Sequence, residues 1–293
     1  MSVIVTERLT KRYGRRVGID GLSLSVPEGS LFGFLGPNGS GKTTTIRILL
    51  GFLAPGGGSA SVFGRDCWRE SHIIKADVGY VPGDLRLYPR LTGREALKLF
   101  ENFRRRDMRT HGLQLAGEFD LDPDLRVRKM SRGMRQKLGL ILALAHQPQL
   151  LVLDEPTSAL DPLMQAKLNG HLRGLASAGH TVFFSSHTLS EVEELCDRVA
   201  ILRQGSLVAD ESLAALRARA NRTVVLRWQN HGAVDGTRIP TFLEVNERRG
   251  LEWHATLTGD VMELVRWSSH QPLADISIGQ PDLTAVFQRY YSV

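Results

Sequence analysis

Residues 36–43 read Gly36-Pro37-Asn38-Gly39-Ser40-Gly41-Lys42-Thr43 and fill each fixed position of the phosphate-loop pattern G-x-x-x-x-G-K-[ST]. Such a loop restricts the fold, because it needs a buried strand to enter it and a helix to leave it. Residues 31–35, Leu-Phe-Gly-Phe-Leu, predict that strand, and residues 44–50, opening at Thr44, predict the helix. Glycines let the backbone N–H groups of the loop turn toward an anion. The helix N-terminus then presents its positive end to the same anion. Lys42 is placed to reach the β- and γ-phosphates of a nucleotide, and the Thr43 hydroxyl to ligate Mg²⁺. The chain is expected to bind a nucleoside triphosphate.

At 293 residues the chain suits one large domain and one small one. No apolar run approaches the roughly 20 residues that a membrane helix needs. Residues 1–10 read as a strand followed by Lys11-Arg12, not as an apolar signal segment. Cys67 and Cys196 are too few and too isolated for a disulfide framework or a metal site. These features predict a cytoplasmic setting. The net charge of +6 fits a nucleic acid, an anionic membrane surface, nucleotide phosphates or simply a solvated surface, and decides nothing alone.

All-apolar runs at 31–35, 150–153 and 182–184 predict a mainly parallel core sheet, since strands covered on both faces lose polar alternation. Runs at 199–202 and 207–209 predict flanking strands. Asp161-Pro162 reads as an N-cap with proline at the first helical position, and Thr92-Gly93-Arg94-Glu95 and Ser190-Glu191-Val192-Glu193 as capping boxes. Residues 85–147 show no convincing strand and read as an inserted helical lobe. Its first helix carries Ala96, Leu97, Leu99, Phe100 and Phe103 at helical spacing. Arg104, Arg105 and Arg106 follow at its end, where the dipole favours cations; a nucleic-acid patch is the less simple account. Past about residue 217 a small α+β domain is expected, joined through 217–222, with strands at 223–228 and 275–278 and helices near 261–268 and 282–291.

Two carboxylates, Asp154 and Glu155, leave the buried strand 150–153 at its C-terminal end, where ligands of open α/β sheets sit. Acids there are costly unless a cation meets them. Mg²⁺ would do so for Asp154, and Glu155 would lie near the γ-phosphate to take a proton from an attacking water. The strand 182–184 delivers Ser185, Ser186 and His187 to the same edge, which places His187 for a γ-phosphate contact. In Ser131-Arg132-Gly133-Met134-Arg135-Gln136-Lys137, three cations oppose the dipole of the helix they open. The conflict disappears if an anion binds there with Ser131, and the distance along the chain from the phosphate loop points to a phosphate held by a second subunit.

Together these pieces resemble the nucleotide-binding subunit of ATP-binding-cassette (ABC) transporters over about residues 3–215. The resemblance implies an α/β P-loop NTPase fold with a mainly parallel sheet, flanking N-terminal strands and a helical lobe at about 85–147. It sets domains at 1–216 and 217–293, the second a small C-terminal α+β accessory domain. Residues 36–43 are similar to Walker A and 150–155 to Walker B. Ser158-Ala159-Leu160-Asp161 is similar to the D-loop, and His187 to the switch histidine. Tyr13 stands where the family stacks an aromatic on adenine. Residues 130–134 resemble the signature motif Leu-Ser-Gly-Gly-Gln, with Arg132 and Met134 in place of Gly and Gln, a form that looks like exporters of drugs, antibiotics or lipids with separate permease subunits. The implied assembly is a head-to-tail homodimer sandwiching two ATP molecules.

Gly83 occupies the position of the Q-loop glutamine, where a side chain would touch Mg²⁺ or the attacking water; Asp84, or a water, is expected to take that role. Backbone freedom at Gly83 is a second possible consequence, through altered coupling to the membrane partner. Residues 281–287 are similar to the tail of the exporter subunits, although a helix docking on its own domain gives the same pattern. The leading reading is an ATPase on the inner face of the cell membrane that powers export through a separate polytopic permease, with residues 85–91, among them Leu87 and Tyr88, as a contact surface. No nucleic-acid partner is expected. The rival is a soluble ABC ATPase acting on ribosomes or nucleic acid, which the single motif set and the lack of sustained heptads disfavour.

Overall fold

The computed structural model describes residues 1–231 and 238–291, which form two compact units, Met1–Ser212 and Leu213–Val293. The first unit opens with β1 (Ser2–Tyr13), β2 (Arg16–Pro27), β3 (Leu31–Leu35), α1 (Lys42–Leu49), β4 (Gly57–Val62), β5 (Arg65–Asp66), α2 (Ser71–Ile74) and β6 (Val78–Val81). The helices α3 (Gly93–Arg104), α4 (Arg109–Glu118) and α5 (Arg132–Leu144) follow. The unit ends with β7 (Leu150–Asp154), α6 (Pro162–Ser177), β8 (Thr181–Ser186), α7 (Leu189–Leu195), β9 (Arg198–Arg203) and β10 (Ser206–Ser212).

Its main sheet has the order β10-β9-β3-β8-β7-β6, parallel from β9 to β6 with β10 as an antiparallel edge. Every residue of β3, β7 and β8 is buried, which is why these strands read as unbroken apolar runs. Phe32 stacks on Phe183 at 5.9 Å, and Phe34 meets the same ring at 4.9 Å. The register pairs Leu35 with Ser186 and Asp154 with Ser185, so the C-terminal ends of all three strands open on one edge. A second, antiparallel sheet, β2-β1-β4-β5, supplies Tyr13 and Arg16 at its first hairpin.

Between residues 85 and 147 the only strand-like pairing among the described residues is an isolated bridge, Thr92 to Arg126. Thr92 and Glu95 form the capping box of α3, and Asp161 caps α6 through Met164 N–H. A local expectation fails at α7. Residues 190–193 form no capping box, because the helix already begins at Leu189; Thr188 is its N-cap and makes no side-chain cap, and the Glu191 carboxylate is taken by Thr157 and Ser186. Arg104 stands in the last turn of α3, as expected, and reaches beyond it. It donates to the carbonyls of Lys75 (3.1 Å), Ala76 (3.2 Å) and Val78 (3.0 Å), while Arg106 pairs with Asp77 at 2.7 Å, so these cations clamp α3 to the entry of β6. Phe103, on the predicted apolar stripe, is exposed.

The second unit contains α8 (Leu213–Arg219), β11 (Arg222–Trp228), β12 (Leu243–Arg249), β13 (Glu252–Leu257), α9 (Val261–Ser268), β14 (Leu273–Pro281) and α10 (Leu283–Tyr291). Residues 217–222, expected as a joining stretch, instead end α8 and start β11, because Leu213 and Leu216 bury one face of that helix. The four strands form an antiparallel sheet, β12-β13-β11-β14. Its core is aromatic: Trp228 lies edge-on to Trp253 at 4.8 Å and to Trp267 at 6.4 Å. Among the described residues no helix is long and apolar enough to cross a membrane.

His146, buried just beyond α5, makes the first unit sensitive to acid. Burial first, then the Arg104 guanidinium, hold its imidazole at about 4 against an ordinary 6.5. Above the ordinary value the ring is neutral folded and unfolded, so it adds no pH dependence there. Below it the unfolded chain takes up a proton that the folded chain refuses, and stability falls by about 1.4 kcal/mol per pH unit until the folded value is reached. Urea denaturation across this window is expected to show the slope, and His146→Leu to reduce it; equal slopes would exclude the assignment.

Candidate functional site

Beyond β3 the loop is held by backbone contacts to its neighbours. Gly36 N–H donates to Ser186 O (3.2 Å), Ser40 N–H to Pro37 O (3.1 Å), and Gly205 N–H to Ser40 O (2.9 Å). Gly41 has φ +110°, and a Cβ there would lie 2.5 Å from Gly18 O. At Gly36 a Cβ would lie 2.6 Å from Leu202 O, so neither position admits a side chain. The helix α1 begins at Lys42, and its first N–H groups have no partner within the helix.

Lys42 is 5 % exposed; its ammonium donates to Gly36 O (2.6 Å) and Pro37 O (3.3 Å) and lies 3.3 Å from Glu155 Oε1. The other Glu155 oxygen is 3.3 Å from His187 Nδ1. Asp154, 3 % exposed, accepts from Thr43 Oγ1 at 2.9 Å and from Ser185 Oγ at 2.6 Å. Thr43 and Asp154 thus bring together a hydroxyl and a carboxylate oxygen beside the phosphate loop. This small, hard oxygen set suits Mg²⁺, which fills its remaining positions with phosphate oxygens and water.

A cavity of about 350 Å³ lies over the loop, within the range of small-molecule sites. Asn38, Gly39, Gly41, Lys42, Thr43, Thr44 and Glu155 line it, together with Tyr13 and two arginines that the sequence reading missed, Arg16 and Arg47. The Tyr13 ring packs against Gly18, where a Cβ would meet Cε2 at 2.9 Å, and is 45 % exposed. Nothing local in the sequence marks Arg47, but Arg16 was findable as the strand partner of Tyr13 across the Gly14 turn. Deeper in the fold, burial and then the Asp154 charge push the Tyr80 phenol up to about 12, with Arg47 acting in the opposite direction.

Other expected residues stand apart from this cavity. Ser131 caps α5 by accepting from Met134 N–H at 3.2 Å, and Arg132, Gly133 and Met134 form the first turn of that helix, outside the cavity lining. Gly133 lies on the segment after Glu155: a Cβ there would sit 2.8 Å from Ala159 O. Ser158 is exposed, and Asp161 caps α6. A side chain at Gly83 would begin 3.3 Å from Asp154 O and 3.7 Å from its Oδ2. Asp84 is not brought to Asp154 by any recorded contact; it is 80 % exposed and pairs with Arg86 at 2.9 Å.

A family profile described as ABC transporter matches residues 19–158. An uncharacterised ABC transporter ATP-binding protein of Nostoc sp. is 41% identical over 243 residues, covering 78% of this chain and 72% of the relative. The Nod factor export ATP-binding protein I of Paraburkholderia xenovorans is 37% identical over 223 residues, covering 74% of this chain and 73% of the relative. The dimeric post-hydrolysis structure of the ATP-binding cassette MJ0796, bound to ADP and Pi, superposes with a TM-score of 0.67 at 25% identity, over 72% of this chain and 98% of that one.

Lys42→Ala is expected to weaken binding of a fluorescent ATP analogue at least about tenfold, by removing the charge-assisted donor of the loop. Asp84→Ala is expected to leave that affinity within about threefold, since its pair with Arg86 is exposed. Titration of both variants checks the two statements, and a large loss in Asp84→Ala would return that carboxylate to the site.

Proposed function

This chain belongs to the ATP-binding subunits of ABC transporters, and we propose that it hydrolyses ATP as a head-to-tail homodimer to power export through a separate membrane permease. The observation that carries the hydrolytic reading is the Glu155 carboxylate, held between the Lys42 ammonium and the His187 ring at 3.3 Å from each. Phosphate oxygens arriving in the loop compete with Glu155 for Lys42. Once displaced, Glu155 accepts the proton of the attacking water, and His187 donates to the γ-phosphate. Thr43 and Asp154 would hold Mg²⁺, which neutralises charge on the β- and γ-phosphates. Tyr13 offers its exposed ring to the adenine, and Arg16 and Arg47 add positive charge at the mouth of the cavity.

The signature turn supports a second copy of the chain as partner. Its cations, Arg132 and Arg135, stand at a helix N-terminus whose first turn contains no acid, an arrangement relieved by phosphate from outside the chain. Export is supported by the Nod factor export relative. A permease is supported by a separate, mainly apolar cavity of about 220 Å³ in the first unit, lined by Leu85, Leu87, Phe52, Tyr80 and Phe100 with Lys75 and Arg104, and by Tyr88, exposed nearby in sequence. The protein is then peripheral on the inner face of the membrane, with the first unit as the ATP-binding domain and the second as its accessory.

Glu155→Gln is expected to lower kcat by about 10²–10⁴-fold while ATP still binds and the dimer accumulates. Turnover at the parental rate would exclude Glu155 as the base. The same variant, tagged and purified with Mg-ATP from detergent-solubilised native membranes, is expected to bring down a polytopic membrane protein in comparable amount. Recovery of ribosomes or nucleic acid in its place would overturn the transport reading.

A further inference from the structure

Glu155 has φ +50°, a left-handed conformation that a non-glycine residue keeps only when its surroundings over-determine it. Three anchors act on this residue and the next two. The N–H of Glu155 donates to Ser185 O (3.1 Å) and to Ser185 Oγ (3.2 Å). The carbonyl of Pro156 accepts from the buried amide of Gln136, on α5, at 2.9 Å. The hydroxyl of Thr157, itself 5 % exposed, donates to Glu191 Oε1 at 2.7 Å.

The third anchor continues beyond the segment. The second oxygen of Glu191 accepts from Ser186 Oγ, and Ser186 immediately precedes His187. Ser186 Oγ in turn accepts from Thr188 N–H at 2.8 Å, which fixes the turn carrying the histidine. One half-buried carboxylate therefore joins the residue two places after Glu155 to the residue one place before His187. Among the described residues it meets no ammonium or guanidinium group, so its two hydroxyl donors and the first turn of α7 compensate its charge.

We infer that Glu191 is a positioning residue for hydrolysis: by tying Thr157 to Ser186 it holds the Glu155 and His187 side chains in register across the reacting phosphate. The inference rests on the ATPase reading above. Glu191 touches neither nucleotide pocket nor phosphate loop, so its loss acts on the rate and not on affinity. The bridge adds a tie between two segments that also meet through the pairing of β7 with β8, the Glu155 N–H on Ser185 and the Glu155–His187 contact, and a small misplacement of a catalytic group is sufficient to lower a rate by about a hundredfold.

The test uses the full-length chain and four variants: Thr157→Val, Thr157→Ser, Glu191→Ala and the double Thr157→Val/Glu191→Ala. Thr157→Val is expected to lower kcat about tenfold to a hundredfold with KM for ATP unchanged and a single cooperative unfolding transition retained at a somewhat lower midpoint. Thr157→Ser, which keeps the hydroxyl, is expected to recover most of the rate. The double variant is expected to be no slower than Glu191→Ala alone, since both remove one bridge. Parental kcat in Thr157→Val, equal losses in Thr157→Val and Thr157→Ser, or losses that multiply in the double variant would overturn the inference. The Thr157 pair decides the matter even if Glu191→Ala fails to fold. Parental protein without ATP turnover would remove the ATPase reading itself, whereas an active parent with an indifferent Thr157→Val removes the bridge alone.

Discussion

A carboxylate at the end of a fully buried strand is costly unless donors reach it, and Asp154 is reached by hydroxyls from two other elements. Thr43 comes from the first turn of α1, and Ser185 from β8. Each donor is delivered by strand order: β7 pairs with β8, and β8 with β3, whose end feeds the loop into α1. A slip of one residue between β7 and β8 would turn Ser185 away from Asp154, and one between β8 and β3 would displace the loop that delivers Thr43. The register of the parallel sheet and the geometry of the site are therefore one constraint, and the buried aromatic contacts of Phe32, Phe34 and Phe183 that hold the sheet also hold the site.

Next to this satisfied acid stands an acid that is only partly satisfied. Glu155 shares Lys42 with two loop carbonyls and lies beside a histidine that is 48 % exposed. Its left-handed backbone adds strain in the same place. The two neighbours thus divide the work by environment: Asp154 is fixed by short hydrogen bonds, while Glu155 has a cation that an incoming phosphate can take from it. Adjacent carboxylates with different partners are what a site needs when one must hold a metal and the other must accept a proton.

The parallel strands and the residues on them were legible because the information is local. Unbroken apolar runs marked β3, β7 and β8, and Lys42, Thr43, Asp154, Glu155 and His187 stand within or directly after those strings. Of the antiparallel strands, β1, β10, β11 and β14 were expected, whereas β2, β4, β5, β12 and β13 were not. The strand β4 begins Gly57-Gly58-Ser59, which reads as a turn, and β12 is a polar edge strand, Leu-Glu-Val-Asn-Glu-Arg-Arg, with one buried residue at its start. The supporting residues were hidden for a different reason. Thr157 and Glu191 are 34 residues apart, and Gln136 and Pro156 are 20 apart; each is a common polar residue whose meaning comes only from its partner. Ser190 obeyed a local helix-start rule in sequence, yet α7 begins one residue before it; Arg104 ends its helix as expected, and its three carbonyl partners at the entry of β6 were not legible.

Gly83 shows how an absent side chain changes the route by which distant parts of the unit meet. A residue there lies against Asp154, yet glycine offers only its backbone, and the neighbouring Asp84 spends its charge on Arg86. Two residues further, Leu85 lies over Gly139 of α5, where a Cβ would meet Cδ2 at 2.4 Å and close the contact. The helix α5 starts at the signature turn, and its Gln136 holds the carbonyl after Glu155. Leu85 therefore stands between two paths of contact, along the backbone to Gly83 and Asp154 and across Gly139 to α5. The first of these paths passes through Gly83, which glycine leaves free in φ and ψ and which meets Asp154 only by packing. The second passes through side chains packed on a helix, and is the stiffer of the two.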